Sequence, residues 1–156
     1  MKSVRLLSLL LVIAMLGTSG LALAADTATQ TVTIQVDSVN DISVSADPLP
    51  LVATATTPAT DSSTTYDITT NGTGLKITGE LDAVVPIDTT LTVELVAPTG
   101  ATSAGAVALT DMAADLVTGI DTVSEAALGI TYEFSALPSA GMVPQETRTV
   151  TFTITN

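Results

Sequence analysis

The stretch that decides the reading is "ATQTVTIQV", Ala28 to Val36, which alternates small or aliphatic residues with polar ones almost without interruption. Ala28, Val32, Ile34 and Val36 fall on one side of an extended chain, and Thr29, Thr31, Thr33 and Gln35 on the other. That is the period of a half-buried β-strand, and it begins almost as soon as the working chain does. Such a strand either opens its own sheet or completes that of a neighbouring copy, and the choice separates a solitary domain from the subunit of a fibre.

Upstream, Met1 to Ala24 has the anatomy of a secretory signal: Lys2 and Arg5, the apolar run "LLSLLLVIAML", then Ala22-Leu23-Ala24 as a small-x-small cleavage site. The run is too short for a confident membrane-spanning helix, so no span is expected after processing, and the expected location is extracellular or at the cell surface. Cleavage leaves 132 of the 156 residues, enough for one core. The expected organisation is a cleaved signal over 1–24, a donor strand and joint over 25–41, and a sandwich domain over 42–156.

Cysteine and histidine are both absent. Ser-His-Asp and Cys-His catalysis, Cys/His zinc sites, haem ligation and iron-sulfur clusters fall with them. An enzyme would have to work with carboxylates alone, yet these sit mostly in turns or on solvent faces, so no catalytic activity is expected. Beyond the signal only Lys76 and Arg148 oppose sixteen Asp and Glu, a formal charge of −14. Nucleic acid and anionic membrane surfaces are poor partners for such a surface, since both require cations.

Threonine makes up about a fifth of the chain and lies mainly between aliphatics, a pattern of strands rich in β-branched side chains. Strands are predicted over 29–36, 42–46, 64–69, 75–81, 90–96, 106–109, 129–136 and 147–155, with Pro, Gly, Asn and Asp between them. This is an all-β fold, an Ig-like or jelly-roll antiparallel β-sandwich. One short helix is expected in "TDMAADLVTG", with Met112, Leu116 and Val117 buried and Gly119 ending it. Asn71-Gly72 predicts a hairpin, and pairing of 75–81 with 90–96 would bring Lys76 or Glu80 near Glu94.

Two weaker signals accompany the fold. Asp37, Asp41 and Asp47 cluster near the first two strands and offer oxygen ligands of the kind Ca²⁺ takes, although no EF-hand spacing is present and no cofactor is required. Asn71-Gly72-Thr73 is a formal N-glycosylation sequon on an exposed turn.

The layout resembles secreted donor-strand fibre subunits. "LPSAGMVPQETRTVTFTITN" looks like the closing segment of spore-coat-U-like pilins, and archaeal bundling pilins and biofilm-matrix fibre proteins share the plan of a cleaved signal, an alternating first strand and a last strand ending near the terminus. The disulfide common in chaperone-usher pilins is missing. The resemblance implies a homopolymer grown head to tail, with Ala28, Val32, Ile34 and Val36 donated to an acceptor groove of Ile77, Val93, Ile130, Tyr132, Val150 and Phe152. The alternative is a monomeric secreted or periplasmic sandwich that binds a ligand, calcium among the options.

Overall fold

The structure, a computed structural model, describes residues 26–45 and 48–156. The expected signal and Asp47 therefore lie outside the described residues. The chain divides into a segment ending at Gln35 and a body from Val36 to Asn156.

Among the described residues the body has nine strands: β1 (Asn40–Val44), β2 (Ala59–Thr70), β3 (Leu75–Leu81), β4 (Thr89–Leu95), β5 (Thr102–Ser103), β6 (Val107–Ala108), β7 (Ala114–Ile120), β8 (Val123–Ala136) and β9 (Val150–Thr155). All pairings are antiparallel, in a five-stranded sheet of order β1-β2-β8-β4-β6 and a four-stranded sheet of order β5-β7-β3-β9. The all-β sandwich read from the threonine-aliphatic alternation is thus what the chain adopts.

Between the sheets lie the inward residues of that alternation. Tyr66 and Ile68 of β2, Ile77 of β3, Val93 and Leu95 of β4, Leu116 and Val117 of β7 and Ile130 of β8 are all at most 1% exposed. Each such side chain stabilises the fold by about 1.5–3 kcal/mol over its exposed state. Gly79 lies at a tight point of this interior. A Cβ there would stand 2.7 Å from Leu116 Cδ1, so only a bare backbone lets β3 and Leu116 approach.

Three expectations are corrected. The segment 110–119 forms no helix: residues 114–120 are β7, and Met112 is 73% exposed rather than buried. The register of β7 against β3 slips between Leu75 and Ile77 and again between Ile77 and Thr78. These bulges turn the adjacent Leu116 and Val117, and then Ile120, inward, a spacing that imitates a helical face. Gly119 serves the first bulge with φ +71° instead of ending a helix. The helical element found among the described residues is a single 3₁₀ turn, Pro138–Ala140.

Asn71-Gly72 does not close a hairpin. Both edges of β2 are already bonded, to β1 and to β8, so the chain must cross to the other sheet to form β3. For the same reason β3 and β4 do not pair, and Lys76 meets Asp115 of β7 at 3.0 Å instead of Glu94. Residues 29–36 form no strand within their own molecule.

Candidate functional site: an open seam and an exposed arm

The two long sides of the sandwich are finished differently. On the β5-β6 side the chain itself closes the gap: Leu109 donates to the Leu91 carbonyl of one sheet at 2.9 Å, and Leu81 of the other donates to the Thr110 carbonyl at 2.7 Å. Leu109, on that closure, is only 3% exposed. On the other side β1 and β9 are the outermost strands of their sheets and run beside each other.

There an open cleft of about 320 Å³ lies between Ile42, Ser43 and Val44 of β1 and Val150, Thr151 and Phe152 of β9. Ile42, Val150, Phe152 and Ile154 touch the core but stay half-buried, and Val44 is 49% exposed. The edge strands alternate correctly for a core, yet the layer that would bury their inward side chains is incomplete. β9 is bonded to β3 from Lys76↔Thr155 to Leu81↔Val150, and among the described residues its other edge has no neighbouring strand. A second, smaller cleft lies at Asp88–Thr90 and Ser135–Leu137.

The residues ahead of β1 carry exposed aliphatic side chains. Val32, Ile34 and Val36 are 69%, 89% and 87% exposed, and Ala28 is exposed with them. Three alternating aliphatic side chains in water carry a free-energy penalty that burial would remove.

The residues expected to line an acceptor groove separate into two sets. Ile77, Val93 and Ile130 are fully buried and Tyr132 is 8% exposed, all within the closed interior. Val150 and Phe152 line the open cleft. Ile42 and Val44 join them there, outside the expected groove set although the two share one parity, and Ile154, on the same face of β9 as Val150 and Phe152, is half-buried.

In the sequence Asn71 stands out only as a turn and sequon residue. Its side chain instead holds the root of the arm: Oδ1 accepts from the Val39 N–H at 2.9 Å, and Nδ2 donates to the Asp37 carbonyl at 2.8 Å. Its own backbone N–H donates to the Val39 carbonyl at 3.2 Å. The amide nitrogen that a glycan would occupy is thus a donor in this clamp.

Asp37 and Asp41 lie in the arm root and at the start of β1, both exposed, and among the described residues no group of three or more Asp, Glu, His or Cys is placed to hold a metal ion. Among the described residues no helix is long and apolar enough to cross a membrane. Compared with known protein families, curated proteins and solved structures, the chain matches none.

Proposed function

We propose that this protein is a structural subunit of an extracellular filament, exported by its N-terminal signal and polymerised by giving residues 28–36 to the β1-β9 opening of the next copy. The single observation that carries the reading is that one chain contains both halves of a contact: an exposed alternating arm and an unfilled apolar seam between two edge strands. Strand addition suits both halves. The main chain of the guest satisfies the free edge, and its alternate side chains enter the cleft. Because arm and opening are different surfaces, the contact does not close on itself and repeats into a line. The work of the protein is then assembly, with no chemistry performed.

The test compares the secreted chain, residues 25–156, with one lacking residues 25–36. Electron microscopy is expected to show filaments for the first and none for the second, with both retaining a cooperative thermal transition. Filaments from the shortened chain overturn the reading. A full-length chain that stays monomeric on size-exclusion chromatography at every concentration overturns it too, and favours a solitary binding domain.

A further inference from the structure

The strand register gives the sandwich two unlike ends. Asn40 pairs with Thr70 and Thr155 with Lys76, so the arm root, Asn71 and the finish of β9 share one end. At the other end lie the loops 82–88 and 137–149, since Leu81 pairs with Val150 and Thr89 with Ala136. Those loops carry exposed apolar side chains: Val84 at 54%, Ile87 at 84%, Leu137 at 59% and Met142 at 96%.

We propose that Asn71 sets the direction of assembly: by holding residues 37–39 at the end where β9 finishes, it makes the arm of one copy enter the next antiparallel to β9. This rests on the filament reading above. In an extending line, the end of each copy from which its own arm departs must stay clear. The body that donates an arm therefore sits at the opposite end, against the apolar loops, with its residue 36 near Val150 and its residue 31 near Thr155. The four-stranded sheet becomes β5-β7-β3-β9-donor. The matching register sets Val36 beside Val150, Ile34 beside Phe152 and Val32 beside Ile154, so that aliphatic side chains share the inner face. Charge favours the same pair of edges. Neither residues 27–36 nor residues 150–156 contain a charged side chain, in a chain that is otherwise strongly acidic.

The reverse direction has a different outcome. An arm lying parallel to β9 has its root at its host's own root end, which yields either a chain folded back on itself or a reciprocal pair, both closed. Folding back also requires a reversal within residues 36–39, where the Asn71 clamp acts.

Because cysteine is absent, introduced thiols report without background. In residues 25–156, Thr31→Cys with Thr155→Cys is expected to give a covalent ladder on a non-reducing gel that collapses with reductant, and Thr31→Cys with Thr151→Cys is expected to give almost none. Adding Asn71→Ala to the second pair is expected to raise an internally linked monomer at least fivefold, with the thermal transition retained. Linking through Thr151 but not Thr155 overturns the proposed direction. Filaments visible by microscopy with no ladder from the first pair overturn the direction while leaving the filament reading intact; no filaments at all overturn both. An unchanged cross-linking pattern in the Asn71→Ala variant overturns the role of Asn71.

Discussion

The hydroxyl of Tyr66, on β2, donates to the carbonyl of Val96, just beyond β4, at 2.6 Å, spanning the intervening strand β8. Burial, with a smaller contribution from the nearby Glu125 carboxylate, pushes this phenol up to about 12, and burial alone pushes Tyr132 to about 12. Both groups hold their proton more tightly folded than unfolded, where a phenol titrates near 10. Their contribution to stability is therefore intact below about pH 10 and is lost as pH rises through about 12. Thermal melts across pH 8–12 should show a midpoint that falls only above about pH 10, and Tyr66→Phe should reduce that fall; an unchanged alkaline slope contradicts the assignment.

Gly79→Ala should destabilise the domain by about 1–3 kcal/mol, since the new methyl group meets Leu116 within a filled core. The same substitution made in a Leu116→Ala background should cost less than it does alone. Urea denaturation of the four variants gives the coupling directly.

Thr64 is 3% exposed, and its hydroxyl oxygen has no hydrogen-bond partner. Thr64→Val keeps the shape and removes the stranded polar atom, and should raise stability by about 1 kcal/mol. A loss of stability in denaturant titration counts against this account.

Ala127 occupies the left-handed region at φ +57° within a bulge of β8, where its N–H donates to Oδ1 of the facing Asp67 at 2.8 Å. An L side chain is strained there by about 1–2 kcal/mol, and glycine loses about 0.5–1 kcal/mol of that advantage to unfolded-state entropy. Ala127→Gly should therefore raise the melting temperature slightly, whereas Gly119→Ala, at φ +71°, should lower it.

Ile34→Asp puts a charge at the centre of the exposed arm, where a buried position would not tolerate it. On the filament reading, polymer yield should fall at least tenfold while the melting temperature of the body stays the same. Sedimentation of the secreted fraction measures the first and calorimetry the second.

Much of this architecture is legible in the sequence because strands with one buried face obey a strict period. Leu75, Ile77 and Leu81 announce β3, and Leu91, Val93 and Leu95 announce β4, each within a residue of its observed bounds. The period fails where the backbone stops alternating. In β7 two bulges place Leu116 and Val117 side by side in the core, and that local pattern alone is indistinguishable from a helical one. Partner choice is non-local as well. Nothing in "TTNGTG" says that both edges of β2 are taken, and this is what converts a hairpin signal into a crossing between sheets. The cleft was half legible: Val150 and Phe152 follow from parity, but the burial of Ile77, Val93 and Ile130 depends on which strands end up outermost.

Lys76 is matched to Asp115 at 3.0 Å, and Arg148 is matched to Glu146 two residues before it in the chain. Beyond residue 25 these are the sole cations of the sequence. Neither is left over to bridge one copy to another, so two approaching copies meet as polyanions whatever face they turn. Dissolved electrolyte must supply the missing counterweight. On the filament reading, growth rate should accordingly climb with ionic strength over the range in which the screening length shrinks from about 30 Å to about 8 Å, the reverse of what a contact built on ion pairs would do.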